Sequence, residues 1–330
     1  MTSNVDWLIA PDSFKGTYSA REVALAIAGG IDGTGTVDVC PLADGGEGTL
    51  AVLLDALGGS SGEQRVHDPL GRMVTAPLGW IEDHTTAIVE MSTASGLKLV
   101  GDGERDAEAA STYGTGELIA AAVDAGAAEV IVTAGGSAST DGGAGAIQAI
   151  EERGGLRAAK VTVLADVSTP FERSAEVFAP QKGADRGAVQ RLTARLDELA
   201  KTFPRDPRGV PLSGAAGGLA GGLWARYGAR IVPGAAWVLD AVGFDQRLAH
   251  ANALITGEGR LDGQTLEGKL VSELARRCAS RHVPVHVLVG SCTLTVAELA
   301  RLQLASIAEA GDPGELERAG RALATAAVCR

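Results

Sequence analysis

Five short segments of the sequence combine glycine with the side chains that phosphate chemistry uses. They are PDSFKG (11–16), ADGGEG (43–48), GGSASTDGGAG (135–145), PQKGA (180–184) and GEGRLDGQTLEGK (257–269). Glycine lets backbone N–H groups approach an anion, and lysine supplies positive charge. Aspartate and glutamate can hold Mg²⁺ or accept a proton from a hydroxyl group. A single segment of this kind reads as ordinary turn chemistry, but five in one chain predict an anion-binding cleft.

Three lysines adjoin glycine in these segments. They are Lys15, Lys182 and Lys269, and the whole chain has only six lysines. A lysine beside a backbone without side chains is a natural contact for a phosphate or a carboxylate. The alternative is that each is a solvated turn lysine.

The acidic residues of these segments have two readings each. Asp44 and Glu47 flank two glycines, and Asp166 directly follows a predicted strand. Each could bind Mg²⁺ or accept a proton, but Asp44 could equally cap the helix that follows it, and Asp166 could be a turn residue. Glu258 and Asp262 in the last segment are open to the same pair of interpretations.

Residues 263–275, GQTLEGKLVSELA, match the first three fixed positions of the P-loop pattern G-x-x-x-x-G-K-[ST]. Leu270 stands where the pattern requires a hydroxyl ligand for Mg²⁺. The predicted strand Ala253–Thr256 also ends well before Gly263, whereas a P-loop follows its strand directly. We therefore reject a P-loop and predict that Lys269 lies in an anion-facing loop at a helix start.

Composition excludes several classes of protein. The net charge of −12 argues against nucleic acid or an anionic membrane surface as the main partner. The four cysteines lack CxxC spacing and the five histidines are scattered, so neither a zinc site nor a disulfide framework is predicted. No apolar run reaches the length of a membrane span and no signal peptide is evident, which predicts a cytoplasmic protein.

The pattern of short apolar runs and helical periodicity predicts an α/β protein with two domains. Five strand candidates lie near the two ends of the chain: Asp6–Ala10, Val37–Pro41, Ala253–Thr256, Val285–Val289 and Ala305–Ala308. They predict a flavodoxin-like parallel sheet formed by residues 1–60 plus 238–330. Residues 61–237 are predicted to be an inserted α/β domain that begins with antiparallel strands.

Taken together, the segments resemble the bacterial glycerate kinase family of the glycerate 2-kinase type. The resemblance runs in order through IAPDSFKGTYSA, PLADGGEGT, DPLGR, VEMSTASGL, YGTGELI, GGSASTDGGAGA, APQKGA, SGAAGGL and ITGEGRLDGQTLEGK. It departs at Thr140, where asparagine is common, and in a shorter stretch after Ile150. The resemblance implies phosphorylation of D-glycerate by ATP and Mg²⁺, usually at the 2-hydroxyl. It also implies that the inserted mixed α/β domain is restriction-endonuclease-like.

On this resemblance we expect D-glycerate and ATP to bind in a cleft between the two domains. Lys15, Asp44 and Asp166 are the expected catalytic residues. Lys15 would neutralise the transferred phosphoryl group or the glycerate carboxylate, while Asp44 or Asp166 accepts the hydroxyl proton and the other holds Mg²⁺. The expected substrate and phosphate contacts are Asp12, Ser13, Gly45, Gly46, Glu47, Gly136, Ser137, Asp141, Gln181, Lys182, Glu258, Asp262 and Lys269.

Three alternatives share these sequence signals. The enzyme could form 3-phosphoglycerate, or it could phosphorylate another small hydroxy acid. The third alternative is a metabolite-binding relative without catalysis. The sequence leaves the oligomeric state open, with a homodimer as one option.

Overall fold

A computed structural model describes residues 4–81, 84–263, 265 and 269–328. The described strands are β1 (Val5–Ile9), β2 (Val37–Val39), β3 (Ser60–His67), β4 (Met73–Ile81), β5 (Thr86–Glu90), β6 (Glu129–Thr133), β7 (Lys160–Ala165), β8 (Arg230–Pro233), β9 (Ala251–Leu261), β10 (Val285–Cys292) and β11 (Ser306–Glu309). They form two separate sheets, one in each of two units.

The α-helices of the described residues lie between and after these strands. They are α1 (Ala20–Ile31), α2 (Thr49–Leu57), α3 (Ser92–Ser95), α4 (Tyr113–Asp124), α5 (Ala144–Glu152), α6 (Ser174–Phe178), α7 (Arg186–Thr202), α8 (Leu219–Tyr227), α9 (Gly234–Ala241), α10 (Phe244–Leu248), α11 (Leu270–Ala279), α12 (Val296–Arg301) and α13 (Pro313–Val328). No helix in the described ranges has both the length and the apolar composition that crossing a membrane requires.

The first unit comprises Met1–Asp44 and Ala235–Arg330. Its described strands form a parallel sheet in the order β11-β10-β9-β1-β2. Counted within the unit, this is the order 2-1-3-4-5 of a flavodoxin-like sheet. The predicted flavodoxin-like sheet is therefore confirmed.

Two helices of this unit approach each other through glycine. A Cβ atom on Gly30 of α1 would lie 2.0 Å from the carbonyl oxygen of Glu317 in α13, and one on Gly320 would lie 2.5 Å from the carbonyl oxygen of Ile27. At the beginning of α1, Ser19 and Glu22 form a reciprocal capping box that satisfies N–H groups of the first turn.

The second unit, Gly45–Gly234, contains a mixed sheet in the order β3-β4-β5-β6-β7-β8. The pairs β3–β4 and β4–β5 are antiparallel, and the remaining pairs are parallel. The chain enters this unit at Gly45, earlier than the boundary at residue 60 that the sequence predicts. The reason is that α2 packs on the mixed sheet, where a Cβ on Gly79 of β4 would lie 2.2 Å from the Leu50 side chain.

Strand β9 is longer than its prediction. The sequence assigns GEGRL to a loop because glycine and charged residues interrupt the apolar run. In the structure these residues continue the strand and pair with β10 as far as Leu261 opposite Cys292. Backbone pairing with β10, which no side-chain pattern reveals, holds this polar segment in the sheet.

We predict that Gly30→Ala destabilises the protein by about 1–3 kcal/mol or more, because the new methyl group meets the α13 backbone. Gly29→Ala is the matched control in the same helix, since its Cβ would have only the Glu317 Cγ at 4.0 Å. That change should be neutral or stabilise by up to about 1 kcal/mol. Urea unfolding of both variants measures the difference, and equal stabilities would contradict the close packing of α1 on α13.

Candidate active site

A cavity of about 460 Å³ lies at the carboxyl ends of the strands in the first unit. Its lining comes from the segments after β1 and β11, from the carboxyl-terminal parts of β9 and β10, and from the segment after β9. In an open parallel sheet, ligands bind where the strand order reverses, and here that point lies between β1 and β9. Of the predicted site residues, the cavity wall contains Asp12, Ser13, Lys15, Glu258, Asp262 and Lys269.

Glycines in the cavity wall allow neighbouring backbone segments to pack closely together. A Cβ on Gly257 would lie 2.3 Å from the Leu288 carbonyl oxygen, and one on Gly290 would lie 2.6 Å from the Gly259 carbonyl oxygen. A Cβ on Gly259 itself would lie 3.2 Å from the Phe14 Cα. Glycine at 257 and 290 therefore lets β9 and β10 pack closely, and glycine at 259 leaves room for the segment after β1 beside β9.

Lys15 and Asp44 form an ion pair at this edge of the sheet. The Lys15 Nζ lies 2.8 Å from the Asp44 Oδ2, with 47% of the lysine side chain exposed and 3% of the aspartate. A buried carboxylate therefore orients an ammonium group that remains in reach of solvent. The sequence predicts both residues for the site, and the structure brings them together.

Asp12 is a second buried carboxylate beside this pair. Its Oδ1 accepts a hydrogen bond of 2.6 Å from the Ser13 N–H. Burial and the neighbouring Asp44 charge raise the pKa of Asp12 to about 8, although the positive charge of Lys15 acts in the opposite direction. Asp12 therefore retains a proton over much of the neutral range.

Glu258 lies on β9 and is less buried than Asp12. Its Oε1 accepts a hydrogen bond of 2.9 Å from the Thr265 hydroxyl. Burial raises the pKa of Glu258 to about 7, against the opposing effects of Thr265, Lys269 and Lys15. The residue thus titrates near neutral pH. Farther along the same strand, Arg260 Nε lies 3.6 Å from Asp262 Oδ2.

The end of β9 corrects one argument against a P-loop. The strand ends at Leu261, shortly before Gly263, so the expected long separation between them is wrong. The argument from Leu270 stands, because its apolar side chain is buried at the first position of α11. Lys269 is the N-cap residue of that helix. Residues 264 and 266–268 of the predicted anion-facing loop lie outside the described residues.

In the second unit, two glycine-rich loops already hold carboxylates of the protein. Glu90 accepts hydrogen bonds from the N–H groups of Gly48 and Leu50 at the beginning of α2, at 2.9 and 3.0 Å. Asp141 accepts from the N–H groups of Gly143 and Gly145 at the beginning of α5, at 3.0 and 3.2 Å. The two N-cap glycines, Gly48 and Gly143, have φ of +90° and +80°.

This arrangement changes what the two loops can bind. The first-turn N–H groups of a helix attract anions, and at α2 and α5 an internal carboxylate occupies that place. Asp141 also accepts two hydrogen bonds from Thr112, one from its N–H and one from its hydroxyl. Asp141 therefore has a structural role in this loop. Glu90 is not among the predicted site residues, although a carboxylate within the otherwise apolar run AIVEM is a visible signal in the sequence.

The remaining glycines of these loops mark places of close packing. A Cβ on Gly45 would lie 2.6 Å from the Gly234 Cα, and one on Gly135 would lie 2.7 Å from the Gly46 Cα. The carbonyl oxygen of Gly136 accepts the Leu97 N–H at 2.8 Å. Glu47 is partly exposed and forms an ion pair with Lys98.

Lys182 is a buried lysine with neutral oxygen partners. Its Nζ donates to the Ser139 carbonyl oxygen at 2.5 Å and to the Ser137 Oγ at 3.3 Å, and the residue is 2% exposed. Burial lowers the pKa of Lys182 to about 7, while the charge of Asp141 acts against that shift. The structure thus joins Ser137, Asp141 and Lys182 within the unit.

Gln181 and Asp166 are the other two predicted site residues of this unit. Gln181 precedes Lys182 and is exposed, and Asp166 follows β7 in a half-buried position. Their roles stay predictions, as do the binding roles of the other predicted site residues.

Comparisons with known proteins match most of the chain to glycerate kinases. The model of the glycerate kinase family matches residues 7–154 and 151–326. A glycerate kinase of Bacillus subtilis is 40% identical over 326 residues, covering 86% of this chain and 84% of its own. A glycerate 2-kinase of Escherichia coli is 35% identical, covering 87% and 85%. A crystal structure from Salmonella typhimurium LT2, with the provisional name glycerate kinase 2, superposes with a TM-score of 0.83 at 32% identity, covering 99% of both chains.

We predict that Asp12→Asn stabilises the protein at alkaline pH. The pKa of Asp12 is higher in the folded than in the unfolded chain, so wild-type stability from this group is lost as the pH rises from about 4 to about 8. The variant should therefore match the wild type near pH 4 and exceed it by about 1–3 kcal/mol at pH 9. Asp32→Asn, at an exposed position of the same unit, is the control for thermal unfolding at both pH values. A variant no more stable than the wild type at pH 9 would contradict the raised pKa.

We predict the opposite dependence for Lys182, whose pKa is lower in the folded chain. Between pH 7 and 10 the unfolded lysine binds a proton that the folded one does not, so wild-type stability rises with pH in this window. Lys182→Met should remove about 1–3 kcal/mol of that rise in denaturant unfolding. Lys160→Met, at an exposed position of the same unit, should keep the wild-type slope. Parallel curves for wild type and Lys182→Met would disprove the lowered pKa.

Proposed function

The chain belongs to the glycerate kinase family, and from this premise we propose that it transfers the γ-phosphoryl group of ATP to D-glycerate, forming 2-phosphoglycerate. The observation that carries the proposal is the cavity at the carboxyl ends of β1 and β9. It combines the cationic side chains of Lys15 and Lys269 with the carboxylate of Glu258. A small hydroxy acid needs a cation for its carboxylate and an acceptor for its hydroxyl proton, and this wall offers both.

Lys15 is the proposed charge-neutralising group. Phosphoryl transfer requires positioning and stabilisation of charge more than covalent chemistry by the protein. Because buried Asp44 fixes the Lys15 ammonium at 2.8 Å, the cation is held in place before substrate arrives. It would contact either the transferred phosphoryl group or the glycerate carboxylate.

Mg²⁺ is the proposed metal ion. Proteins usually hold Mg²⁺ through one or two carboxylates together with substrate phosphates. No cluster of three or more His, Cys, Asp or Glu side chains suited to a metal occurs among the described residues. Asp44 and Asp166 are the proposed protein ligands, which would hold the ion together with phosphate oxygens of the substrate. When bound, the ion would neutralise charge on the phosphates.

Residues of the second unit are the proposed phosphate contacts. Lys182 and Ser137 supply an ammonium group and a hydroxyl group within 3.3 Å of each other. The N–H groups at the beginnings of α2 and α5 are left out of this proposal, because Glu90 and Asp141 accept them. The cytoplasmic location and the homodimer stay predictions of the sequence.

The product decides between the alternatives. A coupled assay with ATP and D-glycerate measures turnover, and NMR identifies the carbon that carries the phosphoryl group. We expect 2-phosphoglycerate. 3-Phosphoglycerate would refute the proposed regiochemistry alone, and the absence of any phosphorylated product would favour a non-catalytic relative.

We predict that Lys15→Ala lowers kcat by about 10²–10³-fold, because it removes a positioned cation from the reacting charge. Lys201→Ala is the matched control, since Lys201 is an exposed lysine of α7 that also pairs with carboxylates. It should leave kcat unchanged. The coupled assay and circular dichroism of both variants test this, and near-normal turnover of folded Lys15→Ala would disprove the role.

A further inference from the structure

We propose that Glu258 accepts the proton of the substrate hydroxyl during phosphoryl transfer, an assignment that rests on the proposed kinase function. The sequence favours Asp44 or Asp166 for this task. The contacts at the cavity of the first unit point instead to the Glu258 carboxylate on β9. This carboxylate is accessible, a hydrogen bond from a neutral hydroxyl orients it, and the strand holds it rigidly.

The neighbouring carboxylates are each engaged in a way that opposes proton transfer. Asp44 is almost fully buried, and its Oδ2 is bound to the Lys15 ammonium, so an ion pair would have to break before that oxygen could accept a proton. Asp12 is 3% exposed, and its Oδ1 accepts the Ser13 N–H. A base must come within hydrogen-bond reach of the proton that it removes, which favours a more accessible group.

Glu258 meets this requirement. It is partly exposed and contributes to the cavity wall. Its Oε1 is held by the neutral Thr265 hydroxyl at 2.9 Å, and among the described residues no donor is bonded to its Oε2. One oxygen thus fixes the orientation of the carboxylate while the other remains available to a substrate hydroxyl.

The backbone holds this carboxylate rigidly. Glu258 pairs with Val289 of β10 in the sheet register. A Cβ on Gly257 would lie 2.3 Å from the Leu288 carbonyl oxygen and one on Gly259 would lie 3.2 Å from the Phe14 Cα, so neighbouring backbone packs closely on both sides of Glu258. A base carried by a strand in such packing is placed more precisely than one on a loop.

The charges around Glu258 suit a base at neutral pH. Lys15 and Asp12 face it from the segment after β1, Asp44 from the segment after β2 and Lys269 from the beginning of α11. The two lysines and the Thr265 hydroxyl favour the ionised form, whereas burial and the Asp44 charge favour the protonated form. Its pKa of about 7 leaves a substantial ionised fraction at neutral pH and a strong enough base to accept the proton.

The proposed step balances with the substrates already named. The substrate hydroxyl oxygen bonds to the γ-phosphorus of ATP as its proton moves to the Glu258 carboxylate. The bond between the γ-phosphorus and its bridging oxygen breaks, and ADP leaves with that electron pair. Glu258 then releases the proton to water and regains its ionised form.

The first test compares Glu258→Gln with the wild type in the coupled assay. Glutamine keeps the shape of the side chain but cannot accept the proton, so kcat should fall by about 10²–10⁴-fold with little change in KM for D-glycerate. Glu258→Asp should recover part of the loss. If the wild type forms phosphoglycerate and folded Glu258→Gln retains kcat within about threefold, the assignment fails while the proposed function stands. If the wild type forms none, both fail.

A second variant tests the base without removing it. Thr265→Val deletes the hydroxyl that stabilises the ionised form, so the acidic limb of the kcat profile should move to higher pH by about one unit. kcat at the alkaline plateau should stay near the wild-type value. A purely structural role of Thr265 would lower kcat at every pH. An unmoved acidic limb in folded Thr265→Val would overturn the assignment even if Glu258→Gln failed to fold.

Discussion

The cost of burying a carboxylate organises both units of this chain. Removing an ionised carboxylate from water costs several kcal/mol unless donors replace the lost hydration. Each of the buried acidic groups at the loops receives such replacement: Asp44 from the Lys15 ammonium, Glu90 from the start of α2 and Asp141 from the start of α5. Asp12 has a weaker set of donors and holds a proton instead. The loops take the shapes that bring these donors to these acids.

Glycine allows the donor groups to reach these acids. It has two structural roles in the loops, and the two roles look alike in the sequence. At Gly48 and Gly143 a left-handed backbone helps to turn two nearby N–H groups toward one carboxylate. At Gly135 and Gly257 the missing Cβ lets neighbouring backbones touch. Both kinds of position lie in motifs that sequence reasoning assigns to phosphate binding as a group. The structure distinguishes glycines whose left-handed backbone orients N–H groups from glycines whose lack of a Cβ allows two backbone segments to pack together.

The sequence contained enough to predict the flavodoxin-like sheet, because its strands are short apolar runs near the two ends of the chain and the segments between them have helical periodicity. It also predicted that Lys15 and Asp44 would be site residues, since both follow strands that end at one edge. It could not predict the length of β9, which depends on pairing with a distant strand through backbone atoms alone. Nor could it show that Glu90 and Asp141 fill the helix starts of α2 and α5. The Glu90 contacts join residues that are far apart in the chain, so local spacing does not encode them. The Asp141 contacts at α5 are local, but the same short Asp-Gly-Gly spacing is equally compatible with a loop that binds an external anion.

The contrast between Lys15 and Lys182 shows why equal sequence signals need not mean equal chemistry. Both lysines precede glycine, and both lie in segments of the same composition. Lys15 has a carboxylate partner and a solvated head group, so its charge is compensated before any ligand binds. Lys182 has neutral oxygen partners in a buried position, so its ammonium form is held at a cost that lowers its pKa to about 7. An anion that came close to Lys182 would repay that cost and favour proton uptake, whereas one that came close to Lys15 would compete with Asp44. An anion would therefore exchange with Asp44 as the partner of Lys15, whereas at Lys182 it would favour uptake of a proton.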